Sequence, residues 1–172
     1  RDAKAVARLR AAGAIVFGKT NLSTLAMDIQ TYNAAFGTTN NPWDPSRTAG
    51  GSSGGSAVAT SAGLSALELG SDLGGSIRIP AAFCGVFGHR PSFGIVPTRG
   101  HIPGPPGTLA PPDLETAGPI ARSAEDLDLA LRVVARADEQ DAVGWHLKLP
   151  PPRRRGLSDY RLAAWLDDPA AP

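Results

Sequence analysis

Cysteine is almost absent from this sequence, since Cys84 is the only one among 172 residues. A single cysteine forms no intramolecular disulfide, and a chain without disulfides fits a reducing compartment, so we expect a cytoplasmic protein. Cys84 follows Phe83 and precedes Gly85 and Val86. In this apolar setting we interpret the thiol as a packing group rather than a nucleophile. We expect neither a bound metal nor a cofactor.

The sequence also lacks a charge excess and a long apolar run. It has 17 lysines and arginines against 16 aspartates and glutamates, which gives a net charge of +1. Nucleic acids and anionic membrane surfaces attract strongly basic proteins, so we expect neither as the main partner. No run of about 18 apolar residues is present to cross a membrane.

Two clusters of glycine and serine stand in the middle of the chain. Residues 50–56 read GGSSGGS and residues 70–76 read GSDLGGS. Such a composition is typical of flexible linkers, but residues 57–69 between the clusters are rich in alanine and leucine and contain no proline. Because a linker does not enclose apolar sequence, we interpret both clusters as tight turns inside a core. Glycine allows close approach of the backbone, so N–H groups in such turns can face a ligand.

The serines of the first cluster are compatible with nucleophilic catalysis. Ser52 and Ser53 both satisfy a loose G-x-S-x-G pattern, which in hydrolases places serine at a strand-to-helix turn. Repeated glycine and serine also produce this pattern by chance. A serine–histidine–acid triad needs a histidine, and the three present, His89, His101 and His146, lie in no recognisable motif. This type of hydrolase therefore stays an open alternative.

Further motifs surround the two clusters in a fixed order. Residues 50–80 are preceded by GAIVFGKTN and NNPWD, and they are followed by AAFCG, RPS and ETAGPIARS. With these motifs the sequence resembles the amidase signature family over nearly its whole length. The resemblance implies an α/β fold with a mixed β-sheet covered by helices on both faces. It also implies that residues 1–172 are the central part of a single domain, incomplete at both ends.

The resemblance implies a catalytic site made of two serines and a lysine. Ser76, in the DLGGSIR motif, corresponds to the nucleophile, and Ser52 corresponds to a bridging serine that follows Gly51 through a cis peptide bond. The lysine of the family lies upstream of the segment that this chain matches. Lys19 and Lys4 stand at other positions, and we assign neither a catalytic role. A lysine serves as the base of such a site only while it is neutral.

A second group of residues is expected to stabilise charge during the reaction. The backbone N–H groups of Leu73, Gly74, Gly75 and Ser76 precede a helix that we expect to begin near Ile77. N–H groups at a helix N-terminus bind negative charge, so these four are a candidate oxyanion hole.

Other residues are expected to support the two loops. Asp72 and Arg78 flank the second cluster, and we interpret them as a salt bridge that fixes this loop rather than as catalytic groups. Gly51 and Ser53 are expected to support the site from the first cluster.

Patterns elsewhere predict ordinary secondary structure. A capping pattern at Ser123 and Asp126 predicts the start of a helix whose core stripe includes Ala130 and Val134. Other helices are predicted for residues 2–13 and 23–28, buried strands for residues 14–18, 85–89 and 160–166, and a proline-rich covering loop for residues 97–112.

The function implied by the resemblance is hydrolysis of a small-molecule carboxylic amide to an acid and ammonia or an amine, through an acyl-enzyme on Ser76. Two alternatives stay open besides the serine–histidine–acid hydrolase. The first is the A subunit of a glutamine-dependent amidotransferase, which supplies ammonia to a partner protein. The second is a catalytically inactive fragment that serves as a binding module. A homo-oligomer is compatible with each of these functions.

Overall fold

The computed structural model describes residues 2–101, 113–151, 153–154, 156–161 and 163. None of the helices in these ranges is long and apolar enough to cross a membrane. Two short 3₁₀ turns lie at Thr24–Ala26 and Leu157–Asp159. The other elements, in chain order, are α1 (Lys4–Ala11), β1 (Tyr32–Asn33), β2 (Gly37–Thr38), α2 (Gly54–Ser61), β3 (Leu67–Asp72), α3 (Arg78–Cys84), β4 (Phe87–Gly88), β5 (Thr116–Ala121) and α4 (Ala124–Val134).

Strands β3, β5 and β4 form the central sheet in that order, and both neighbouring pairs are antiparallel. The register of β3 and β5 runs from Leu67 opposite Ala121 to Asp72 opposite Thr116. All residues of β5 are buried. Because successive side chains of a strand point to opposite faces, both faces of the sheet must be covered at this strand.

Different helices cover the two faces of the sheet. Leu9 of α1 and Val134 of α4 pack in one buried cluster with Ala117 of β5. On the opposite face, a Cβ atom added at Gly118 would lie 3.1 Å from Cδ1 of Ile77, the residue that precedes α3. The expected α/β fold with helices on both faces is therefore confirmed.

Helix α4 begins as the capping pattern predicts. The Ser123 hydroxyl accepts a hydrogen bond from the N–H of Asp126 at 3.1 Å. Glu125 and Asp126 place negative charge in the first turn, where it interacts favourably with the helix dipole. Ala130 and Val134 are buried, as expected for the core stripe. The helix predicted for residues 2–13 is also present, as α1.

The strand predicted for residues 14–18 is wrong. Ile15 and Phe17 are 87% and 75% exposed, and no strand in the described part of the chain pairs with this segment. An apolar run becomes a strand only where a neighbour satisfies its backbone hydrogen bonds. The helix predicted for residues 23–28 is only the 3₁₀ turn at Thr24–Ala26.

Two further predictions concern the ends of the sheet and its covering loop. The strand predicted for residues 85–89 is present as the shorter β4. The strand predicted for residues 160–166 lies largely outside the described residues, as do residues 102–112 of the predicted loop.

Candidate active site

The two glycine- and serine-rich loops meet beside strand β3. The first ends at Ser53, which precedes α2, and the second leaves β3 and enters α3. Ser53 joins them, because its N–H donates to the carbonyl of Ser76 at 3.2 Å. The Ser53 hydroxyl donates to the carbonyl of Ser71 at 3.4 Å and accepts from the N–H of Ser71 at 3.3 Å. One residue of the first loop thus fixes the backbone of the second loop and of β3.

The two serines implied by the resemblance differ in exposure. Ser52 is 2% exposed, whereas Ser76 is half-buried and can be reached from solvent. The peptide bond between Gly51 and Ser52 is cis. A Cβ atom at Gly51 would lie 2.7 Å from the carbonyl oxygen of Asp28, so the packing there requires glycine.

The Asp72 carboxylate holds the backbone around Ser76. Its side chain is fully buried. One oxygen accepts the N–H of Gly75 at 2.8 Å, and the other accepts the N–H of Ile77 at 3.1 Å. These two hydrogen bonds lie on either side of Ser76 in the chain, so they restrict the position of its backbone.

Two arginines neutralise the Asp72 carboxylate. Arg78 approaches in a forked geometry, with Nε 3.0 Å from one oxygen and a terminal nitrogen 3.0 Å from the other. Nε of Arg90 lies 3.4 Å from the carboxylate. The structure therefore contains the expected Asp72–Arg78 salt bridge, and it adds Arg90, which the sequence did not indicate.

The balance of burial and hydrogen bonding keeps Asp72 ionised. Burial alone would raise the pKa of this carboxyl group, but the hydrogen bonds from Arg78, Ile77 and Gly75 outweigh it and hold the pKa below the usual aspartate range. The same ion pair raises the pKa of the Arg78 guanidinium.

Replacing Asp72 with asparagine in the full-length protein should destabilise the fold. Asparagine cannot accept all of these hydrogen bonds, and it leaves Arg90 without a counter-charge. Arg78 is 55% exposed, so water compensates part of its loss. We expect the free energy of unfolding to fall by about 1–3 kcal/mol, measured by urea denaturation at neutral pH.

Asp128→Asn is a matched control for this substitution. Asp128 also pairs with an arginine, Arg132, at 2.7 Å, but both side chains are mostly exposed. Exposed pairs contribute little to stability. Equal losses for Asp72→Asn and Asp128→Asn would contradict the role of Asp72 in the core.

The stabilisation by Asp72 should also depend on pH. Because the pKa of this carboxyl group is lowered in the folded state, its contribution is complete above the unfolded-state pKa and is lost as the pH falls through the folded-state value. The difference in unfolding free energy between wild type and Asp72→Asn should therefore shrink between about pH 5 and pH 2. Urea denaturation of both proteins across this range measures it. A constant difference would show that the ionised carboxylate is not the stabilising group.

The candidate oxyanion hole needs one correction. The sequence suggested that the Gly75 N–H is available to a ligand. In the structure this N–H donates to the Asp72 carboxylate instead. The reason is that the Asp72 side chain folds back onto the loop that follows it. The N–H groups of Leu73, Gly74 and Ser76 have no acceptor among the described residues.

The sequence did not reveal the contribution of Thr31, which is fully buried beside the first loop. Its hydroxyl donates to the carbonyl of Gly50 at 2.9 Å and accepts from the N–H of Gly54 at 2.9 Å. No local sequence motif indicates that Thr31 has this role, because Thr31 and the segment around Ser52 come together only in the folded chain.

The lysines of the described part do not complete the site. Lys19 and Lys148 are exposed, and Lys4 forms an ion pair with Glu139 at 2.6 Å. No hydrogen bond among the described residues joins any of the three to Ser52 or Ser76.

The described residues support neither a serine–histidine–acid triad nor Cys84 as the nucleophile. No histidine side chain there hydrogen-bonds Ser52, Ser53 or Ser76, and no group of three metal-ligating residues is present in those ranges. Cys84 is fully buried, and this burial raises the pKa of its thiol to about 11. A thiol that stays protonated is a packing group, as its apolar neighbours predicted.

A family model described as Amidase matches residues 1–171. The chain belongs to the amidase signature family. Among curated relatives, the A subunit of the glutamyl-tRNA(Gln) amidotransferase of Thermus thermophilus is 51% identical over 150 residues, which are 87% of this chain and 30% of that protein. The corresponding protein of Sulfurisphaera tokodaii is 42% identical over 96% of this chain and 34% of its own length. This chain thus spans about a third of the length of these amidase signature relatives.

Solved structures of amidase signature proteins resemble this fold. The A subunit of the glutamyl-tRNA(Gln) amidotransferase from Thermotoga maritima superposes with a TM-score of 0.74 at 39% identity, over 86% of this chain and 31% of that chain. The native peptide amidase of Stenotrophomonas maltophilia superposes with a TM-score of 0.72 at 39% identity, over 90% of this chain and 31% of that chain.

Proposed function

We propose that the full-length protein hydrolyses a carboxylic amide through a covalent acyl-enzyme on Ser76. The observation that carries this proposal is the hydrogen bond from the Ser53 N–H to the Ser76 carbonyl at 3.2 Å. It holds the loop that contains Ser52 against the loop that contains the accessible Ser76. Two serines in this relation suit proton transfer to and from a nucleophilic hydroxyl.

The proposed reaction has two halves. The Ser76 hydroxyl oxygen attacks the amide carbon, its proton passes through Ser52 to the base, and the C–N bond breaks as the nitrogen leaves protonated. Water then attacks the resulting ester, which releases the carboxylic acid and restores the Ser76 hydroxyl. In this reaction the base is a lysine of the full-length protein, at the position upstream of the matched segment where the family has one.

The remaining parts of the site have supporting roles in this proposal. The N–H groups of Leu73, Gly74 and Ser76 are the donors for the negative oxygen of the tetrahedral intermediate. Removing one such donor in other enzymes typically lowers turnover by about 10²–10³-fold. Asp72 keeps the loop in the conformation that presents these donors, and Arg78 keeps Asp72 ionised.

A hydroxylamine partition experiment tests this proposal. The full-length protein is incubated with simple primary amides, including glutamine, and released ammonia and carboxylic acid are quantified. An acyl-enzyme partitions between water and added hydroxylamine, so a hydroxamate should form at the expense of the acid while ammonia release continues. Ammonia release without any hydroxamate would contradict the covalent intermediate.

A second candidate function is favoured by the curated relatives, several of which are A subunits of glutamyl-tRNA(Gln) amidotransferases. In this case the protein releases ammonia from glutamine and passes it to a partner protein. Glutamine hydrolysis that rises sharply when the partner is added would favour this function. Full activity on amides without any partner would favour an independent amidase.

A further inference from the structure

We propose that Thr31 is the residue that positions Ser52 for proton transfer, an inference that rests on the proposed function. Thr31 is fully buried, and its hydroxyl lies against both ends of the short segment that contains Ser52. It donates to the carbonyl of Gly50, two residues before Ser52, and it accepts from the N–H of Gly54, two residues after it. The hydroxyl therefore closes this segment into a fixed loop.

A hydroxyl group is suited to this position because it is a donor and an acceptor in one atom. Both distances to Thr31 Oγ1 are 2.9 Å, and the carbonyl of Ser52 itself lies 3.3 Å away. The hydroxyl has one proton, which it donates to one carbonyl at a time. The shorter distance favours the carbonyl of Gly50 over that of Ser52. Valine has nearly the same shape, but it would leave the buried groups of Gly50 and Gly54 without partners.

Thr31 is itself held in place, so it can determine the position of the loop. Its carbonyl accepts the N–H of Thr39 at 2.9 Å, which extends the hairpin of β1 and β2 to this residue. The loop has no space to move away from it. A Cβ atom at Gly54 would lie in direct overlap with Thr31 Oγ1, and one at Gly51 would lie 2.7 Å from the Asp28 carbonyl.

This arrangement predicts a specific effect on turnover. Loss of the Thr31 hydroxyl should let Ser52 shift relative to Ser76 while the accessible surface around Ser76 is unchanged. Small misplacements of reacting groups cost up to about 10²-fold in rate. We expect Thr31→Val in the full-length protein to lower kcat for amide hydrolysis about 10–100-fold with little change in KM.

Two comparisons separate positioning from general damage to the fold. Thr31→Ser keeps the hydroxyl and should recover most of the wild-type kcat. Thr38→Val, an exposed position on β2 of the same hairpin, should leave kcat unchanged. Thermal unfolding of each variant verifies that the protein is folded under the conditions of the assay.

A double-mutant cycle with Ser52→Ala gives the decisive readout. If Thr31 acts through Ser52, the valine substitution should lower kcat much less in the Ser52→Ala background than in wild type. An equal loss in both backgrounds, or a Thr31→Val enzyme with wild-type kcat, would overturn the assignment. If Thr31→Val does not fold, Gly54→Ala replaces it, because the added methyl group displaces the hydroxyl without removing it.

The outcomes also separate this inference from the function on which it rests. A wild-type protein that releases no ammonia from any amide contradicts the proposed function, and the assignment of Thr31 is then withdrawn with it. A wild-type protein that hydrolyses amides while Thr31→Val hydrolyses them equally well contradicts the assignment of Thr31 alone.

Discussion

Replacing Ser76 with alanine in the full-length protein is expected to lower kcat for amide hydrolysis at least about 10⁴-fold. The alanine removes the oxygen that would form the proposed acyl-enzyme, and neither Cys84 nor Ser52 can take its place. Cys84 is buried as a protonated thiol, and Ser52 is 2% exposed, so neither is reachable by a substrate. Steady-state release of ammonia, measured with wild type and variant at equal concentration, determines the loss.

The loss of kcat should result from the loss of Ser76 in particular, and not from replacing any serine with alanine. Ser46 is exposed in a surface turn, where it hydrogen-bonds Asp44 and touches neither loop of the site. Ser46→Ala should therefore retain the wild-type rate. A Ser76→Ala protein that retains more than a small fraction of wild-type turnover would identify another residue as the nucleophile.

Replacing Ser52 with alanine should lower kcat about 10²–10⁴-fold, the range typical for loss of a proton-transfer group. The fold should be retained. The loop is held by backbone bonds to Thr31 and by the Ser53 N–H, none of which needs the Ser52 hydroxyl. Rate measurements together with thermal unfolding distinguish a loss of chemistry from a loss of structure.

The two serine variants should differ in one informative respect. Ser52→Ala still has the Ser76 hydroxyl, so it should form a covalent adduct slowly with an amide-mimicking phosphonate, whereas Ser76→Ala should form none. Wild-type turnover in Ser52→Ala would exclude Ser52 as the bridging serine.

The sequence was sufficient to locate the two loops and the start of α3. Clusters of glycine in an otherwise apolar segment indicated close backbone contacts, and the structure has such contacts at Gly51 and Gly54. The charges of Asp72 and Arg78 on either side of one loop indicated their ion pair. These features are local, so a short stretch of sequence contains the information that specifies them.

Features that depend on distant parts of the chain were not predictable in the same way. Strand β5 is central in the sheet although it contains Pro119, a residue that normally argues against a central strand. Thr31 reaches Gly50 and Gly54 across 19 and 23 residues of sequence. In both cases tertiary contacts decide the outcome. The hydrogen bond from the Gly75 N–H to Asp72, three residues earlier, is by contrast a local turn contact that the sequence analysis did not include.

The central claim is that Ser76 is the residue that becomes acylated, and mapping a covalent adduct tests it most directly. The full-length protein is treated with an amide-mimicking phosphonate, digested, and sequenced by tandem mass spectrometry. We predict a single adduct on Ser76 that is absent from Ser76→Ala and present in Ser46→Ala. An adduct on a different residue, or one that persists unchanged in Ser76→Ala, would contradict the claim.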